Sequence, residues 1–190
     1  MRFLVFLLVL GSTAFAQVPL QAVGKFPSTR VQVQIGVQER AKGTDFYRKA
    51  MHIQPRFTFE GASSMLPIPA AEAQMIIITY DTRAKFVENK DLFKVLTSET
   101  IPVPAIPNGA RRQLSFAPSD VTFDGYRDNS NVGGDAYKYY VFALRDAQTK
   151  ALIDFETNCL SLANQCKTDL AKREEILKMA VGAKFPSTFK

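Results

Sequence analysis

From residue 30 to 40 the chain reads RVQVQIGVQER, with Val31, Val33, Ile35 and Val37 in one register and Gln32, Gln34, Gly36 and Gln38 in the other. Successive strand side chains point to opposite faces, so this alternation predicts a strand with one buried side. The same period runs through FYRKAMHIQPRFTFE, where Met51, Ile53, Phe57 and Phe59 alternate with Ala50, His52, Gln54, Arg56, Thr58 and Glu60. Pro55 interrupts it, and a residue without an N–H predicts an edge position or a bulge there.

EGASSMLPIPA then reads as a connection, and AQMIIITYDTRAKFV as a strand whose centre, Met75 to Ile78, is apolar in both registers and so buried on both faces. Asn89-Lys90-Asp91 marks a turn before the β-rich run DLFKVLTSETIPV. Pro102, Pro104, Pro107 and Asn108-Gly109 break the chain into a loop. Two short extended pieces, QLSFAP and DVTFDGY, lead to a hairpin whose arms are DAYKYYVFALR and ALIDFETN. Strict alternation puts Tyr137, Tyr139 and Val141 on one face of its first arm and Tyr140, Phe142 and Leu144 on the other. The period changes only in KTDLAKREEILKMAVG, which predicts a helix with Thr168 or Asp169 as N-cap and Gly182 at its stop.

The ends change the picture in two ways. MRFLVFLLVLGSTAFAQ has a basic Arg2, an apolar run from Phe3 to Leu10 and a small-x-small site at Ala14-Phe15-Ala16, the pattern of a secretory signal peptide over residues 1–16. That run is far shorter than the roughly 20 residues a spanning helix needs, so an exported chain with no transmembrane span after cleavage is expected. Export makes a disulfide between Cys159 and Cys166 the expected state of the two cysteines. A zinc site would need three or four convergent ligands, and His52 is the chain's one histidine. The second feature is KFPST, which occurs at 25–29 and again at 184–188. The flanks share little beyond a Val-Gly pair, so a duplicated fold is excluded and two extended segments bracketing one domain are expected.

Charge and motifs narrow the function classes. The chain has 24 Lys and Arg against 18 Asp and Glu, scattered rather than gathered, which argues against nucleic acid as a partner. No nucleophile elbow, zinc-protease motif, phosphate loop or dinucleotide fingerprint occurs, and parity places His52 on a polar strand face. No enzymatic activity and no cofactor are expected. Asp120, Asp124, Asp128, Asp135 and Asp154 are the carboxylates from which an acid pair would have to come. DGYRDNSNVGGD departs from the EF-hand pattern, with Val132 at its fifth position and no glutamate at its twelfth, and reads as a loop made flexible by Gly133-Gly134. Tyr137, Tyr139 and Tyr140 are the candidate binding surface, since aromatic faces stack on sugars and anchor interfaces.

The leader, the short alternating strands, MIIITYDTRAKF, LFKVLTSETIPVPAIPNGARRQLSFAP and the YKYYVFALRDAQTKALIDFE hairpin together resemble small exported immunoglobulin-like proteins of the Verrucomicrobiota, those of type IV pilus-like gene clusters in Akkermansia among them. The resemblance implies a protein associated with the outer membrane or pilus and supplies no functional residues. The expected architecture is a mainly β, immunoglobulin-like sandwich over 30–160, preceded by an extended segment at 17–29 and followed by a disulfide loop, short helix and tail over 161–190. The expected function is non-catalytic: contact with envelope or pilus proteins through sandwich edges or loops, in the periplasm, at the outer membrane or outside the cell. The alternative is a carbohydrate-binding module for host or matrix glycans.

Overall fold

The computed structural model describes residues 27, 29–42, 45–61, 67–107, 110–125 and 132–189; the expected signal peptide over 1–16, most of the first KFPST copy and Asp128 lie outside them. The two alternating segments form β1 (Thr29–Lys42) and β2 (Asp45–Gly61), which pair antiparallel along nearly their whole length. On the other side of β2 lie β5 (Arg111–Ser115) and β6 (Ser119–Asp124), end to end. Between the pairs Arg56↔Ser115 and Ile53↔Ser119 the register steps by one residue.

Pro55 explains where that step falls. Its carbonyl accepts from the Phe116 N–H at 3.0 Å, so its backbone faces the β5–β6 side, since N–H and C=O of one residue point the same way in an antiparallel ladder. The missing N–H therefore coincides with the irregularity, and β2 stays central despite its proline.

The second sheet runs β8-β7-β3-β4-β9, built from β3 (Ala71–Asp81), β4 (Phe93–Val103), β7 (Asp135–Asp146), β8 (Leu152–Thr157) and the two-residue β9 (Lys184–Phe185). β3 is buried on both faces, as its apolar centre predicts. Met75 and Ile77 join Phe57, Phe59 and Phe142 between the sheets, while Ile76 and Ile78 join Phe93, Tyr139 and Val141 on the far side. Phe57 and Phe142 meet across the inter-sheet gap with ring centroids 5.0 Å apart.

The far side is closed by helices, so the molecule has three layers. α2 (Leu160–Thr168) contributes Leu162 and Cys166, α3 (Leu170–Leu177) contributes Ile176 and Leu177, and the chain end contributes Phe185 and Phe189. Residues 161–189 thus share a core with β3, β4 and β7. The protein is mainly β, with two antiparallel sheets and a few short helices.

Three local readings change. TRAKF is not strand: Asp81, at the end of β3, accepts from the Ala84 N–H at 2.9 Å and caps the single turn α1 (Thr82–Phe86). LSLANQ is not a disulfide loop but the body of α2, with Cys159 as its N-cap. Seven residues along that helix separate the two cysteines by roughly 10 Å, against the 4.4–6.8 Å between Cα atoms that a disulfide spans. Both are free, buried thiols that fill space as small apolar groups. Gly134, expected to confer flexibility, is held at φ +91° with its carbonyl accepting from both the Thr82 N–H and Oγ1. A Cβ there would come within 2.1 Å of the Thr122 carbonyl oxygen, so only glycine fits.

Candidate binding surfaces

The tyrosines of the expected aromatic surface do not share a face. Ile78 pairs with Tyr139 but Thr79 pairs with Tyr137, so Lys138 is an extra residue in β7. That bulge turns Tyr137 to the inter-sheet side with Tyr140, while Tyr139 points into the helical layer. Tyr139 is 3% and Tyr140 7% exposed, and an exposed coplanar platform for sugar rings is not formed.

Each phenol is instead a structural group. The Tyr140 hydroxyl donates to Glu156 at 2.5 Å, and burial, helped by that bond, holds its pKa well above the usual range. Burial raises Tyr137 to about 12, against an opposing hydrogen bond from Asn158. Tyr139, raised by burial, packs edge-on to Phe93 and Phe185.

The candidate carboxylates are dispersed. Asp135 pairs with Lys94 at 2.6 Å, Asp124 stands opposite Arg48 in the β2–β6 ladder, and Asp120 and Asp154 line different grooves. Among the described residues no three His, Cys, Asp or Glu side chains converge as a metal site would require. His52 lies on the solvent face of β2, where parity puts it, and its Nδ1 is 3.0 Å from Asp120 directly opposite on β6.

That face of the first sheet carries one of two grooves. One, of ≈ 430 Å³, is lined by Gln38, Arg40, His52, Gln54, Arg56 and Asp120. The other, of ≈ 540 Å³, is lined by residues of β1, β2, β5 and β8, among them Arg30, Glu60, Arg111 and Asp154. Burial raises the Asp154 pKa, opposed by the hydrogen bond from the Phe155 N–H. Glu60 lines the same groove as Asp154, a grouping not legible in the sequence, where the two lie ninety-four residues apart.

The other surface is an edge. Among the described residues β1 pairs only with β2, and Ile35 stands opposite Pro55. Because Pro55 faces β5–β6, this is a non-hydrogen-bonded pair on the β1 side, and the Ile35 N–H and C=O point away from the sheet. By the period of two, the same holds for Val31, Val33 and Val37. Elsewhere among the described residues β9 has two residues, β8 has six, the β5–β6 side steps at Phe116, and β4 presents an outer edge beyond Val95, from Leu96 to Val103, that carries Glu99 and Pro102.

No family model and no curated protein matches the chain. Among solved structures it is similar to one from Akkermansia muciniphila, at 14% identity and a TM-score of 0.36, over 69% of this chain and 70% of that one. It is also similar to Bacteroides uniformis beta-glucuronidase 2, at 9% identity and a TM-score of 0.37, over 70% of this chain and 14% of that one. Among the described residues no helix is long and apolar enough to cross a membrane.

Proposed function

We propose that this is a non-catalytic interaction protein of the bacterial envelope that offers the edge of β1 to a partner's strand. The observation that carries the reading is the edge itself: a fourteen-residue strand with uncharged side chains from Val31 to Gln38 and a row of outward backbone donors and acceptors. Natural sheets blunt such edges with charges, prolines or bulges. Here charge is confined to the ends, at Arg30, Glu39, Arg40 and Lys42, and the bulge to Ala41/Lys42. An added strand takes affinity from main-chain hydrogen bonds and specificity from alternate side chains. The leader sequence and the resemblance to exported pilus-cluster proteins support the envelope setting.

Val37→Pro tests this with little disturbance of the fold. It deletes an N–H that faces solvent, not β2, and the side chain is already 38% exposed. The mature wild-type chain, incubated with solubilised envelope of the source organism, is expected to retain a strand donor, a second copy of this chain or another envelope protein, that Val37→Pro loses. Retention of the same protein by both would remove the edge reading.

A further inference from the structure

We infer that the strand received by β1 is β1 of a second copy, paired antiparallel about a two-fold axis at Gln34; the inference rests on the edge reading above. Only odd-numbered residues present outward N–H and C=O groups, so hydrogen-bonded pairs across the axis must join odd to odd. Four axes about the middle of the uncharged run satisfy this, at Val33, Gln34, Ile35 or Gly36. An axis at Ile35 sets Arg30 directly opposite Arg40 of the other copy and one at Gly36 sets it opposite Lys42, and like charges facing each other are destabilising. An axis at Val33 leaves Gln38 beyond the start of the partner's β1 and pairs less of the uncharged run with itself.

The axis at Gln34 matches Val31 with Val37 and Val33 with Ile35 in both directions, four hydrogen-bonded pairs that lie wholly within the uncharged run. Their side chains all point to the inter-sheet side, where Val31, Val33 and Ile35 already pack against the core. The pairing would extend that apolar stripe from one molecule into the next. On the solvent face Gln34 meets Gln34 and Gln32 meets Gly36, whose missing side chain leaves room for the glutamine. An isologous contact of this kind closes as a dimer and leaves no further β1 edge exposed. The result is one continuous sheet through two molecules, with the His52 and Arg56 face running across both.

Sedimentation velocity of the mature chain over a concentration series tests the inference. The expected result is a mass rising from one chain to two, and a dimer weakened about tenfold or more in Val37→Pro, which loses one hydrogen bond per chain. Gln34→Cys tests the register without touching the ladder. Opposite residues of a non-hydrogen-bonded pair lie about 4.5 Å apart at Cα, within disulfide reach, so this variant should oxidise to a covalent dimer and Gln38→Cys should not. A wild type that stays monomeric at all concentrations overturns the dimer, as does cross-linking at 38 in place of 34. If that monomer still captures an envelope protein in a manner that Val37→Pro abolishes, the edge reading stands with a different strand donor. If Val37→Pro changes neither association nor capture, both readings fall.

Discussion

At the residue scale, burial of ionisable side chains makes the clearest predictions. Tyr137, Tyr139 and Tyr140 all have pKa values raised by burial, from the ordinary 10.0 to about 12 for Tyr137. A raised pKa means the folded state keeps a proton that the unfolded state releases, so its stabilisation is complete below pH 10 and is lost as pH rises toward 12. Urea midpoints measured from pH 8 upward should therefore stay level to about pH 10 and then fall, with phenolate absorbance rising alongside unfolding. Asp154 has the same sign at lower pH, since the folded state favours its protonated form. Asp154→Asn keeps the acceptor for the Phe155 N–H and removes a charge, and is expected to raise the melting temperature at pH 7. An unchanged or lowered value would mean that Arg30 and Arg111 compensate that carboxylate more than burial disfavours it.

At the element scale, the cysteines separate two accounts of α2. Export pointed to a Cys159–Cys166 bond, yet Leu162 and Cys166 sit four residues apart on one helix face and both face the core. A thiol assay should find both groups unreactive in the native protein and both reactive in denaturant, with the same melting temperature with and without reductant. The hydrophobic spacing was legible in LSLANQC, but a short loop between two exported cysteines outweighed it. α1 was missed for a related reason. Asp81 acts through one side-chain hydrogen bond, which alternation of apolar residues does not register. The helix expected over 167–182 is split by Asp169, which caps α3 by accepting from the Lys172 N–H, and α3 ends at Leu177, well before Gly182.

At the scale of the whole molecule, the second KFPST copy is an anchor. Lys184 and Phe185 pair with Lys94 and Phe93 on the edge of β4, and Phe185 and Phe189 are 0% and 2% exposed among Phe93 and Tyr139. Truncating a buried phenylalanine costs about 3–5 kcal/mol, against a total stability of about 5–15 kcal/mol. Removing residues 184–190 is therefore expected to leave a chain without a cooperative melt, and Phe185→Ala one with a markedly lower urea midpoint. A truncated chain that melts normally would make the tail a passenger. Of the first copy, Thr29 opens β1, in the other sheet.

The sequence by itself determined what depends on near neighbours. The alternation of β1 and β2, the doubly buried centre of β3, the polar setting of His52 and a helix N-cap at Thr168 or Asp169 all follow from side-chain period or from hydrogen bonds within one turn. Only the tertiary structure decided which strands meet and where their registers slip. The step opposite Pro55, the bulge at Lys138 that parts Tyr137 from Tyr139, the grouping of Glu60 with Asp154 and the open edge of β1 are all relations between distant segments. Such relations are set by which apolar faces can close against one another, a competition over the whole chain that no local pattern resolves.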